Sequence, residues 1–308
     1  MKIAISTSSF AVLNDEPLRL LAERGVEAVM NPHGRAITED EAITLFRGCV
    51  GVAAGTEPLT ARVMDAVPEL RVISRCGVGV DSVDREAAAS RNILVRNTPD
   101  GPTRAVAELT LGCALDLLRR VSLMDREIRS GLWKKRMGNL LLEKNLGIVG
   151  FGRIGRAVGA LFGNMGCRVS FFDPFVADGQ DACTRRELDD LLAWADIVSL
   201  HCSKPADGLP VMDAGRIAAM KQGAWLINVA RGGLVDEEAL AQALRTEKLS
   251  GAALDVFAKE PYTGPLAELP TALLTPHIGS YAQEARARME LDTIRNLLDG
   301  LEQAGVLR

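Results

Sequence analysis

Residues 147–155 read GIVGFGRIG, which puts glycines at 150, 152 and 155 and an arginine at 153 between a short apolar run and a helical pattern. A strand–glycine turn–helix of this spacing suits a pyrophosphate. Gly150 allows a sharp turn, Gly152 leaves room for the phosphates to approach the backbone, and Gly155 lets the helix pack close to the strand. The helix N-terminus adds unpaired N–H donors and a partial positive charge, and Arg153 adds a full one. Asp173 ends the next strand-like run, RVSFFD, eighteen residues after Gly155. A carboxylate there accepts both hydroxyls of an adenine ribose and repels a 2′-phosphate, and the following Pro174 and Phe175 bring no cation. The pattern therefore favours NAD over NADP, with FAD or another nucleotide as the alternative.

Three further residues follow strand-like runs, where ligands bind in open parallel sheets. Arg231 follows AWLINVA and precedes two glycines, Glu260 comes shortly after GAALDVF, and His277 follows ALLTP. Alone, an arginine in such a turn suits a surface salt bridge as well as it suits an anion clamp. A histidine beside a buried carboxylate has its charged form favoured and exchanges a proton near neutral pH. Alcohol oxidation needs such a group, because a base must take the hydroxyl proton as hydride leaves carbon.

The elements that position these residues are legible as alternating patterns. KIAIS, EAVMN, VGVAAG, RVISR and ILVRN alternate with helical stretches over the first hundred residues, and LGIVG, RVSFF, DIVSL, AWLINV, GAALDV and ALLTP continue the alternation, giving about six strands in the second half. This predicts an α/β protein of two doubly wound parallel sheets. The breaker-rich NTPDGPT at 97–103 separates them, a single long helix over 105–128 is expected to link them, and a final helix runs over 281–303. A length of 308 residues suits two cores.

Hydrophobic content of 47%, 25% charged residues and a net charge of -4 describe an ordinary globular chain with no pull toward nucleic acid or anionic lipid. No signal-peptide core and no membrane-span-length apolar run is present, so a cytoplasmic protein without membrane contact is expected. Six scattered cysteines without C-x-x-C spacing and three histidines offer little for a metal site, and none is expected.

Taken together, SRCGVGVDSVD at 74–84, NTPDGPTRAVAELT at 97–110, GIVGFGRIG at 147–155, INVARGGLVDEEAL at 227–240, ALDVFAKEP at 253–261 and TPHIGSYAQEA at 275–285 resemble the D-isomer-specific 2-hydroxyacid dehydrogenases. The resemblance implies a Rossmann-type NAD-binding domain over 99–281 and a flavodoxin-like substrate domain over 1–98, completed by the C-terminal helix at 282–308. It implies that Arg231 holds the substrate carboxylate and polarises the C2 oxygen, that His277 is the general acid and base, and that Glu260 keeps His277 protonated for reduction. The backbone of Arg153 and Ile154 would meet the pyrophosphate, Cys202 and Pro205 the adenine, and Val229, Ala230, Asp255 and Gly279 the nicotinamide. From the first module, the N–H groups of Gly77 and Val78 would bind the carboxylate. A homodimer formed through the 105–128 helix and the residues near Trp133 is implied as well.

Within the family the likeness is greatest to short-form D-3-phosphoglycerate dehydrogenases, enzymes of serine biosynthesis, and Arg75 matches a position that meets a substrate phosphate. Arg75 suits a salt-bridged strand end equally. A chain ending at Arg308 leads to the expectation of no C-terminal regulatory domain. The alternatives are a glyoxylate or hydroxypyruvate reductase and a non-catalytic NADH-sensing binding protein. Two departures stand out: Glu143 and Lys144 replace the family's glycine-lysine pair, and Ser203, Lys204 and Pro205 replace its proline-leucine-threonine after His201.

Overall fold

A computed structural model describes residues 1–177 and 183–307. The chain divides into two units, residues 1–102 with 280–308 and residues 103–279. The first boundary falls within NTPDGPT, after Pro102 rather than after Thr98, because the next helix does not begin until Thr103.

The first unit is a five-stranded parallel sheet of β1 (Lys2–Ile5), β2 (Glu27–Met30), β3 (Gly51–Ala54), β4 (Val72–Arg75) and β5 (Leu94–Asn97), in the order β2-β1-β3-β4-β5. That is the flavodoxin-like order. Its crossover helices are α1 (Glu16–Glu23), α2 (Glu39–Phe46), α3 (Ala61–Ala66) and α4 (Arg85–Ser90). Short polar side chains start three of them: Thr38 shares a capping box with Glu41, Thr60 accepts from Val63 N–H, and Asp84 accepts from Ala87 N–H. The helix Gln283–Gln303 at the far end of the chain packs Ile294, Leu297 and Leu301 onto the face carrying Ile3, Ile5 and Val72. Each of these buried side chains contributes about 1.5–3 kcal/mol by leaving water.

The second unit begins with α5 (Thr103–Arg119) and α6 (Val121–Arg129). The single helix expected over 105–128 is therefore two. Arg120 adopts a left-handed conformation at φ 54°, and the Asp116 carboxylate accepts from the Ser122 N–H at 2.6 Å and from its hydroxyl at 2.9 Å, satisfying the restarted helix. Nor does α5 serve as a linker. Its buried Val106, Ala107, Ala114 and Leu118 belong to one core with Ile148, Phe151, Val158 and Phe162 of the same unit.

Seven parallel strands follow: β6 (Asn145–Val149), β7 (Arg168–Phe172), β8 (Thr184–Arg185), β9 (Ile197–Leu200), β10 (Ala224–Asn228), β11 (Leu249–Leu254) and β12 (Ala272–Leu274). They run in the order β12-β11-β10-β9-β6-β7-β8, the Rossmann arrangement with an added edge strand. About six strands were expected; the seventh, β8, has two residues, too few to show a periodic pattern. The helices α7 (Arg153–Asn164), α8 (Leu188–Trp194), α9 (Ala214–Ala219) and α10 (Glu237–Arg245) complete the unit, and separate apolar cores lie on the two faces of its sheet.

Candidate functional site

The glycine turn lies between β6 and α7. Gly150 has φ +94°, and a Cβ there would lie 2.7 Å from Cys202 Cα, so the turn is pressed against the chain leaving β9. A Cβ on Gly155 would collide with the Gly150 carbonyl oxygen. Gly152 is different. It is the N-cap of α7, no side chain caps that helix, and nothing lies within 4 Å of where its Cβ would be. Uncapped first-turn N–H groups beside open space fit a dinucleotide's pyrophosphate. Arg153 and Ile154 open the helix, the first exposed and the second half-buried.

Asp173 closes this corner. Its carboxylate accepts from Phe151 N–H at 2.7 Å and from Phe175 N–H at 2.9 Å, tying the end of β7 to the glycine turn. Each oxygen keeps a second lone pair for a ribose hydroxyl. Asp173→Ser is expected to narrow the preference for NAD over NADP by about tenfold in kcat/KM, because a repelling charge is removed; an unchanged preference would take Asp173 out of cofactor choice.

Beyond β9, burial pushes the His201 imidazole down to about 3, so the ring is neutral. One nitrogen, Nε2, lies 2.8 Å from the Ser199 hydroxyl, while buried Nδ1 has no hydrogen-bond partner among the described residues. Cys202 packs against the core, and burial pushes its thiol up to about 11, which leaves it a neutral wall of the glycine turn. Pro205 is half-buried further along the same loop, and its carbonyl accepts from Gly208 N–H.

Strands β10, β11 and β12 are parallel neighbours, with Asn228 paired to Leu254 and Leu254 to Leu274, so their carboxyl ends lie side by side. The structure thereby brings Arg231, Glu260 and His277 to adjacent loops. Buried Asn228 shapes the first of these, donating to Arg231 O at 3.0 Å and accepting from Ala230 N–H at 3.1 Å. Val229 is buried there and Ala230 half-buried. The turn is pressed against the next loop, since a Cβ on Gly232 would collide with Phe257 O. The Arg231 guanidinium donates to Ala230 O at 2.8 Å.

Glu260 takes the Phe257 N–H on one oxygen at 3.1 Å and faces His277 Nδ1 with the other at 3.1 Å. Burial opposes its charge, but the His277 ring, the Phe257 N–H and the attraction of His277 and Lys204 together hold the carboxyl below its ordinary value. With Nδ1–H donated to Glu260, His277 Nε2 is left to exchange a proton. His277 sits in the left-handed region at φ 57°, an uncommon conformation for a non-glycine residue.

Asp255 holds that conformation in place. Only 1% exposed, it accepts from the Thr275 hydroxyl at 2.6 Å, Ile278 N–H at 2.7 Å and Gly279 N–H at 2.7 Å. Burial raises its carboxyl above the ordinary value despite those bonds. Asp255 thus braces the His277 loop. Asn228 and Thr275 escaped sequence reasoning; their signal is only that each polar side chain ends an apolar strand.

Arg75, Gly77 and Val78 belong to the other unit. Arg75 ends β4, and its guanidinium donates to Cys76 O. Gly77, at φ +148°, has no Cβ to collide with that guanidinium. The Gly77 N–H donates to the Thr98 hydroxyl at 2.8 Å, and Asn97 donates to Val78 O at 2.7 Å, so the loop is braced from β5 and an anion there would share the Gly77 donor.

A model of the D-isomer specific 2-hydroxyacid dehydrogenase NAD binding domain matches residues 111–279. The D-3-phosphoglycerate dehydrogenase of Mycobacterium leprae is 40% identical over 243 residues, covering 77% of this chain and 46% of that protein. The chain therefore spans about half the length of that curated relative. Among solved structures, a protein from Thermus thermophilus superimposes with a TM-score of 0.91 at 39% identity, covering 98% of this chain and 97% of its own. A glyoxylate reductase from Paecilomyes thermophila gives 0.88 at 26% identity, with 100% and 97% covered.

Proposed function

Because the chain belongs to the D-isomer specific 2-hydroxyacid dehydrogenase family, we propose that it interconverts a D-2-hydroxy acid and its 2-keto acid with NAD, and that a phosphoglycerate-type acid is its substrate. The observation that carries this reading is the Glu260–His277 pair, braced by Asp255 and flanked by the Arg231 turn, in the same unit as the glycine turn. Bound nicotinamide supplies hydride to C2 in one direction and accepts it in the other.

The chain's own residues do the rest. Arg231 binds the substrate carboxylate and polarises the C2 oxygen, and His277 Nε2 gives that oxygen a proton in reduction and removes it in oxidation. Glu260 stabilises the charged imidazole and fixes its tautomer. The N–H groups of Arg153 and Ile154, in the turn of Gly150, Gly152 and Gly155, would hold the pyrophosphate, Asp173 the ribose, Cys202 and Pro205 the adenine, and Val229, Ala230, Asp255 and Gly279 the nicotinamide. For the first unit, whose Arg75, Gly77 and Val78 form one braced loop, we propose a part in binding the substrate's anionic groups.

The name of the Mycobacterium leprae relative supports phosphohydroxypyruvate as the keto acid, and that of the Paecilomyes thermophila structure supports glyoxylate as the second reading. An NADH-oxidation screen with phosphohydroxypyruvate, hydroxypyruvate, glyoxylate and pyruvate tests both. Phosphohydroxypyruvate is expected to give the highest kcat/KM; no turnover of any would leave the NADH-sensing alternative standing.

The partner we propose is a second copy of the chain. Helix α6 buries none of its residues fully, and Trp133, Met137 and Leu140 beyond it are 81%, 93% and 69% exposed. Such an apolar run suits a self-complementary interface. Trp133→Asp is expected to convert a dimer to a monomer in light scattering, and an unchanged mass would place the interface elsewhere. No helix among the described residues is long and apolar enough to cross a membrane, and we propose a cytoplasmic location.

A further inference from the structure

Glu57, only 1% exposed, follows β3 in the first unit and has no part in the proposed reaction. Its Oε1 accepts from the Ser6 hydroxyl and from Gly55 N–H, the latter at 3.2 Å. Its Oε2 is buried and has no hydrogen-bond partner among the described residues. The Thr7 hydroxyl is in the same position, and the two residues flank one point: a Cβ on Gly55 would lie 2.8 Å from Glu57 Oε2 and 3.2 Å from Thr7 Cα. In the order β2-β1-β3-β4-β5 the sheet changes winding direction between β1 and β3, and ligands of such sheets bind beyond the strands' carboxyl ends at that place. Glu57 joins those two ends.

Arg75 stands next in the row. Ala54 at the end of β3 is the register partner of Arg75 at the end of β4, and Cys76 N–H donates to Ala54 O at 2.9 Å. Burial raises the Glu57 carboxyl above its ordinary value, while the Ser6 hydroxyl, the N–H groups of Glu57 and Gly55, and the Arg75 charge favour the ionised form. The other groups at these strand ends add little charge. Ser6 and Thr7 beyond β1 are neutral, and the Asn31 amide beyond β2 donates to Ser6 O at 2.9 Å. Burial keeps the Cys76 thiol protonated, and Arg286 and Glu290 of the helix Gln283–Gln303, which both act on that thiol, pair with each other at 2.8 Å. An ionised Oε2 is thus answered by Arg75, and a protonated one has the Thr7 hydroxyl beside Gly55 as an acceptor.

We propose that Glu57 is a positioning residue for anion binding by the first unit, acting through Arg75, and that it takes up a proton when the substrate's anionic group binds. This rests on the proposed part of the Arg75, Gly77 and Val78 loop in substrate binding, and adds the group that couples that loop to pH. In the empty unit the carboxylate steadies the guanidinium. An arriving anion turns toward the same cation and repels the buried carboxylate, so a proton from solvent passes to Oε2. Binding therefore weakens as pH rises through the carboxyl's titration, because an ionised Glu57 then competes with the substrate.

The test measures the Kd of D-3-phosphoglycerate for the NADH-loaded protein by calorimetry between about pH 5 and 9, for wild type and Glu57→Gln. Glutamine keeps an oxygen for Ser6 and Gly55 and carries no titrating charge. We expect the two proteins to bind the acid alike at the acid end, and Glu57→Gln to bind it about tenfold more tightly at the alkaline end, with NADH affinity unchanged throughout. Other titrating groups, the substrate phosphoryl among them, are common to both proteins and cancel in the ratio. Infrared difference spectra over the same range should show the wild type gaining a protonated-carboxyl band when the acid is added. A ratio independent of pH, as a purely structural role would give, or the absence of that band would each overturn the assignment. Should Glu57→Gln fail to fold, the wild-type spectrum decides by the same criterion. A wild type that binds no phosphoglycerate would overturn the assignment together with the proposed substrate, whereas pH-linked binding without reduction of any keto acid would count against the proposed reaction alone.

Discussion

Replacing His277 by Asn is expected to lower kcat for keto-acid reduction by about three orders of magnitude while leaving the Kd for NADH within about twofold. A positioned acid contributes roughly a hundred- to ten-thousand-fold, and an amide has no proton to give. Asparagine is the informative substitute because the backbone at 277 has φ 57°. Among non-glycine residues Asn tolerates that region best, so the loop braced by Asp255 should keep its shape. Its amide also offers Glu260 a donor, which keeps that carboxylate engaged on the oxygen facing residue 277. Single-turnover rates and NADH fluorescence titration measure the two quantities. Turnover near wild type would remove the imidazole from proton transfer, and lost NADH binding would assign the residue to the cofactor.

Arg231→Gln is expected to reduce kcat/KM by about a thousandfold, with KM rising and kcat falling together. The guanidinium is proposed to act twice, on the carboxylate in the ground state and on the C2 oxygen as negative charge develops there, so its removal should affect both quantities. The turn itself should survive. Its shape comes from Asn228, which bonds the backbone of residues 230 and 231, and from Gly232 against Phe257, none of which needs the guanidinium. Arg231→Lys should recover only part of the loss, since a point charge lacks the planar fork that meets a carboxylate with two bonds. An Arg231→Gln enzyme with unchanged KM would show that the carboxylate is held by other groups.

Much of the architecture was legible because its signals are local. The apolar runs KIAIS, EAVMN, VGVAAG, RVISR and ILVRN correspond to β1 to β5, and the glycine spacing at 150–155 corresponds to a strand, a turn and a helix. The break at Arg120 was not legible, since apolar residues continue through it at helical spacing and the cause is a left-handed residue with an Asp116 cap. Strand β8 was hidden by its brevity.

The candidate site divides along the same line. Which residue types stand at the carboxyl ends of β10, β11 and β12 is a property of the sequence alone, because strand ends and breaker residues show where each run stops. That an arginine, a glutamate and a histidine share one edge depends on strand order, which no local pattern encodes. The brace is likewise tertiary. Asp255 reads in sequence as a polar residue after a strand, and only the folded unit shows its oxygens holding the loop around His277. Composition, periodicity and glycine spacing determined the two sheets and the cofactor turn, because those signals act between residues close in the chain. Hydrogen-bond partners and charge neighbours were decided by the fold, because they join residues that only sheet order makes adjacent.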